Sequence, residues 1–140
     1  MGKLDGKVAL ITGSGRNIGR STALKLAAEG ANIVVNARSN QSEADAVADE
    51  VRNLGVQALP VLADVAVKEQ VDSMVSMAVS AFGKVDILIN NAAIRPHKPF
   101  IEVTLEDWEE VRGVVLDGAF YCTKAVIESM VQNKIGRASF

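Results

Sequence analysis

The sequence predicts a doubly wound α/β fold, a parallel sheet covered by helices on both faces. Two observations carry that expectation. Short runs rich in Val and Ile, each apolar on both faces, read as buried parallel strands. They alternate strictly with longer segments of helical periodicity, so every connection is long enough for a crossover. A length of 140 residues suits one domain, and neither a linker nor an internal repeat interrupts the alternation.

Each element can be justified in order. KVALIT (7–12) is the first strand, followed by a helix over about 18–29. NIVVNA (32–37) is the second strand, with a helix over 41–54. VQALPVLA (56–63) and VDILIN (85–90) are the third and fourth strands, with a helix over 67–82 between them. Asn40 with Glu43, and Thr104 with Asp107, have the spacing of an N-cap and its N3 partner. A last helical stretch over 104–133 is expected to break or bend near Gly113 and Gly118. Trp108, near its start, is expected to cover the edge of the sheet rather than stack on a ligand.

Composition narrows the function. Hydrophobic residues are 49% and charged residues 23%, as in a globular chain. A net charge of -2 offers no basic field for a nucleic-acid backbone, so no nucleic-acid partner is expected. One cysteine, Cys122, and no Cys/His cluster of zinc spacing read as a reduced, metal-free, cytoplasmic protein. The amino terminus lacks the apolar run of a signal peptide, and no membrane association is expected.

The stretch after the first strand carries the chemistry. Thr12, Gly13, Ser14, Gly15, Arg16, Asn17, Ile18 and Gly19 lie between that strand and a helix. Glycines there let backbone approach a pyrophosphate, whose charge meets N–H groups and the positive end of the helix dipole. The bland alternative is a tight strand-to-helix turn without a ligand. Where the second strand ends, an acid would bind a ribose 2′-hydroxyl and an arginine would accept a 2′-phosphate. Here Ala37 offers no carboxylate and Arg38 follows it, pointing to NADP before NAD, unless Arg38 is only a solvated charge.

These residues resemble the short-chain dehydrogenase/reductase family, in particular the amino-terminal cofactor-binding half of members similar to 3-oxoacyl-ACP reductases and glucose dehydrogenases. The family's T-G-x-x-x-G-x-G is matched at Thr12, Gly13 and Gly19, with Asn17 at the middle glycine. Asn tolerates left-handed backbone better than most residues, so the motif counts as kept. Asp64-Val65 resembles the pair around the adenine, and Asn90, Asn91, Ala92 and Ala93 resemble N-N-A-G, with Ala93 for the glycine. The bland reading of the two asparagines is a capped strand end. The resemblance implies a Rossmann fold and hydride transfer between NADP(H) and a carbonyl or alcohol. It also implies an Asn at Val115 that supports a kink and a proton relay, neither of which valine is expected to provide.

The resemblance further implies a Ser and a Y-x-x-x-K pair after the fifth strand, and none of that set can be carried onto these residues. GRASF aligns with the start of the fifth strand, so the domain over 1–140 is expected to be incomplete at its carboxyl end, with VDILIN as an exposed edge. In YCTK, Tyr121 and Lys124 are three apart, and Phe120-Tyr121 reads as packing. His97 reads as a solvated loop residue. No catalytic residue is assigned, and no turnover is expected of this chain alone. Its expected partners are the dinucleotide, a small carbonyl or alcohol substrate only where the missing half is supplied, and a second copy in a homo-oligomer. A non-catalytic nucleotide-binding or subunit-interaction module is the alternative.

Overall fold

The computed structural model describes residues 2–140. Five parallel strands form one sheet in the order β3-β2-β1-β4-β5, with β1 Val8–Ile11, β2 Asn32–Ala37, β3 Ala58–Leu62, β4 Ile87–Ile89 and β5 Arg137–Ser139. Each crossover helix follows its strand: α1 Asn17–Ala28, α2 Gln41–Asn53 and α3 Lys68–Phe82. Beyond β4 come a 3₁₀ turn at Phe100–Glu102, α4 Leu105–Arg112, a π-turn at Gly113–Asp117 and α5 Gly118–Gln132. The predicted α/β class is therefore the observed one.

Two apolar layers hold the sheet. One face of β1 and β2 packs Ala9, Ile11, Ile33 and Val35 against Ala23 and Ala27 of α1 and Val47 and Val51 of α2. The other packs Leu10, Val34 and Leu88 against Val71 and Met74 of α3 and Val126 and Met130 of α5. Central strands buried on both sides are why those runs carry no polar alternation. β3 departs from this expectation. It is the sheet edge and only Val61 is buried along it, which also explains how Pro60, lacking an N–H, is accommodated.

Two expectations are corrected. GRASF does form a strand, with Ile87, Leu88 and Ile89 opposite Arg137, Ala138 and Ser139, so β4 is not the exposed edge. The carbonyl of Asp86 accepts the Arg137 N–H at 3.0 Å and the carbonyl of Ser139 accepts the Asn90 N–H at 2.8 Å, closing the ladder at both ends. Trp108 does not cover the sheet: it is 59% exposed, and no residue of α4 is buried. Where the long helical stretch was expected to break or bend, α4 passes into α5 through a change of helix type. It is a π-turn ending at Gly118, where a Cβ would lie 2.7 Å from Val65 Cγ2. Gly118 packs directly on Val65, with no room for a side chain between them.

Candidate cofactor site

The site grows from one buried asparagine. Asn36, 1% exposed near the end of β2, accepts the Gly13 N–H through Oδ1 at 3.0 Å. Its amide nitrogen donates to the Val61 and Ala63 carbonyls at 3.3 and 3.2 Å. A buried amide so used ties the glycine loop to β3 as well as to its own strand. Ser14, fully buried, donates its hydroxyl to Ile11 O at 2.7 Å and accepts the Asn36 N–H at 3.0 Å.

From β4 the clamp is completed by Thr12 and Asn91. The Thr12 hydroxyl accepts the N–H groups of Asn91 and Ala92 at 3.0 and 2.9 Å. Asn91 Nδ2 donates to the Thr12 and Gly13 carbonyls at 3.0 and 3.2 Å. Gly13 stands at φ +64°, and a Cβ on it would lie 3.0 Å from Ala92 Cα. At Gly19 a Cβ would meet the Gly13 carbonyl oxygen at 2.3 Å, so α1 can enter this close only without a side chain. Asn17 holds φ 52°, the left-handed conformation that replaces the glycine, as expected. The ladder of α1 opens with Arg20 N–H on Arg16 O at 3.1 Å, after the amides of Asn17, Ile18 and Gly19.

Above this clamp lies an open cleft of ≈ 540 Å³ at the carboxyl ends of the strands. Gly13, Gly15, Arg16, Asn17, Ile18, Gly19, Arg38, Asp64, Val65, Asn91, Ala92 and Ala93 all line it. Thr12, Ser14 and Asn90 do not; the first two hold the loop from beneath. Asn90 instead donates to the Thr123 hydroxyl of α5 at 3.3 Å, and among the described residues its buried Oδ1 has no partner. Asn36, Ser39, Asn40, Glu43, Ile94 and Val114 also line the cleft and were not singled out as site residues. Asn36 had a readable signal, since an asparagine inside an apolar strand must bond to backbone. Ile94 and Val114 had none, because ordinary apolar residues reach the cleft only through the fold.

Arg38 and Asp64, two of the cleft's charges, are paired. Arg38 Nε is 3.1 Å from Asp64 Oδ2, and Arg38 Nη1 is 3.4 Å from Glu110 Oε1 on α4. Asp64 Oδ1 also accepts the Ala66 N–H at 2.9 Å. Tyr121 packs against the core beside Phe120, with ring centroids 6.0 Å apart, and does not line the cleft. His97 is exposed. Cys122 is buried in the core, and burial pushes its thiol up to about 12, which keeps it protonated and inert. Among the described residues no group of three or more His, Cys, Asp or Glu side chains is placed to hold a metal ion. No helix among them is long and apolar enough to cross a membrane.

Comparisons with known proteins agree with this geometry. The chain is 42% identical over 137 residues to a 3-oxoacyl-[acyl-carrier-protein] reductase of Synechocystis sp., covering 98% of this chain and 56% of that protein. It is 38% identical over 130 residues to the reductase of the same name from Staphylococcus epidermidis, covering 93% and 53%. The crystal structure of an NAD⁺-bound xylitol dehydrogenase matches with a TM-score of 0.91 and 37% identity, over 97% of this chain and 52% of that one. The chain thus spans about half the length of the relatives it matches. A family model described as short chain dehydrogenase matches residues 7–138, and with the clamp of Thr12, Gly13, Gly19 and Asn91 in place the chain belongs to that family, whose members bind nicotinamide dinucleotides.

Proposed function

We propose that the chain binds a nicotinamide dinucleotide in this cleft, NADP(H) in preference to NAD(H), as the cofactor-holding part of an oxidoreductase acting on a carbonyl or alcohol. The observation that carries the reading is the amino-terminal end of α1. Gly13 and Gly19 bring the loop against β4 so closely that a Cβ would block it, and the first amides of the helix head the cleft. A pyrophosphate placed there meets N–H donors and the positive end of the helix dipole.

Arg38 supports the choice of NADP(H). It lines the cleft just after β2 ends, next to Ala37, so position 37 supplies no carboxylate that would bind a 2′-hydroxyl. Ala92 and Ala93 also line the cleft, and the N–H groups of Asn91 and Ala92 are held by Thr12. The cofactor, when bound, supplies or accepts the hydride. The residues present bind and orient it. Reduction of a carbonyl also needs a proton donor beside the nicotinamide, and no Ser, Tyr or Lys suited to that step is assigned among the cleft residues.

Calorimetric titration of the chain with NADP⁺ and NAD⁺ tests the reading. An Arg–phosphate contact is worth about 1.5–3 kcal/mol, so Arg38→Asp is expected to lower NADP⁺ affinity by about one to two orders of magnitude. Equal NADP⁺ affinity in wild type and Arg38→Asp would overturn the preference. Absence of binding by either dinucleotide would overturn the cofactor reading itself.

A further inference from the structure

We propose that Glu110 sets how strongly this cleft discriminates NADP(H) from NAD(H), by competing with the 2′-phosphate for the Arg38 guanidinium. The inference rests on the cofactor reading above. Arg38 is held from two sides, and the two carboxylates differ in kind. Asp64 follows β3 directly, its side chain is only 20% exposed, and its second oxygen is committed to the Ala66 N–H. It takes Nε, on the inner side of the guanidinium. Glu110 comes from α4, 72 residues beyond Arg38, with a side chain 56% exposed. It takes Nη1, one of the outer nitrogens of the fork that grips a phosphate.

A 2′-phosphate therefore meets Arg38 where Glu110 already sits. Binding it requires Glu110 to leave Nη1 or to stay within reach of a second anion, and both oppose the phosphate. A 2′-hydroxyl carries no charge and meets no such opposition. The carboxylate thus weakens NADP(H) binding while leaving NAD(H) almost untouched. Because the pair is largely exposed and screened by water, the effect is modest. Removing the charge should change affinity by roughly two- to fivefold, the range expected of an exposed pair. α4 has no buried residue, so this pair also links that helix to the end of β2.

The test is a calorimetric double-mutant cycle on the chain, with NADP⁺ and NAD⁺ as probes and Arg38→Ala, Glu110→Gln and the double variant compared with wild type. The expected result is a two- to fivefold tighter NADP⁺ affinity in Glu110→Gln, unchanged NAD⁺ affinity, and no effect of Glu110→Gln once Arg38 is alanine. If Glu110→Gln shifts both dinucleotides equally, the residue acts only on the structure of the cleft and the inference fails. An unchanged NADP⁺ affinity in Glu110→Gln, with a clear loss in Arg38→Ala, overturns the role of Glu110 and leaves the cofactor reading standing. No loss in Arg38→Ala removes the 2′-phosphate assignment and this inference together.

Discussion

Asn17 occupies the position where the family motif has its middle glycine, and its φ of 52° shows what that position demands. Left-handed backbone costs an ordinary L-residue roughly 1–2 kcal/mol, less for Asn, whose short polar side chain can bond locally, and nothing comparable for Gly. Asn17→Ala is therefore expected to destabilise the chain by about 1 kcal/mol, while Asn17→Gly should be neutral or slightly stabilising. Urea melts of the two variants check this; equal stabilities would mean that φ at 17 is not what limits the residue. The substitution was legible because Asn is one of the few residues that visit this conformation. The burden on Asn36 was not drawn from the sequence. Its partners Gly13, after β1, and Val61 and Ala63, at the end of β3, come from two separate segments, which only the sheet brings together.

At the scale of elements, both caps read from spacing are present. Asn40 accepts the Glu43 N–H at 3.1 Å, and Thr104 and Asp107 form a reciprocal capping box. In Asp107 the carboxylate also meets Lys98 Nζ at 2.6 Å. The Lys98 hydrogen bond first, and the Thr104 N–H second, lower its pKa from 3.8 to about 2. A depressed carboxylate pKa contributes stability that is present above the unfolded value, near 3.9, and lost as pH falls through the folded one. The amino-terminal turn of α4 should therefore lose helicity between about pH 4 and pH 2. Asp107→Asn should remove that step from a far-UV circular-dichroism titration, and identical acid profiles for the two proteins would refute the role. The π-turn was half legible. Gly113 and Gly118 marked where regular α-helix fails, as expected. The contact of Gly118 with Val65 was hidden, because it joins residues far apart in the chain.

For the whole molecule, the unsatisfied surfaces lie on the side of β5 and α5. β5 is a three-residue edge strand with Arg137 and Ser139 exposed. Leu105, Trp108, Leu116, Phe120, Ile127 and Val131 recur at helical spacing along α4, the π-turn and α5, and all are at least 40% exposed. An open edge next to so much exposed apolar surface favours association with further chain. We expect the 140-residue chain to self-associate with rising concentration and to unfold at modest urea. Light scattering and a urea melt measure both. A clean monomer with stability above about 8 kcal/mol, well inside the native range, would contradict the expectation.

The sequence by itself determined the α/β class, the order of elements up to β4, both helix caps and twelve residues that line the cleft. Apolar runs, glycine spacing and capping pairs are local signals, each set by a few neighbouring residues, and the family resemblance supplied Asp64, Val65, Asn91, Ala92 and Ala93. Tertiary structure alone decided the rest. It placed Arg38 between Asp64 and Glu110, turned Thr12 and Ser14 into supports beneath the loop, left Trp108 at the surface and gave GRASF a strand to pair with. Apart from the exposure of Trp108, each outcome depends on a partner 20 or more residues away, and the energy of such a contact exists only once the sheet has brought the two segments together.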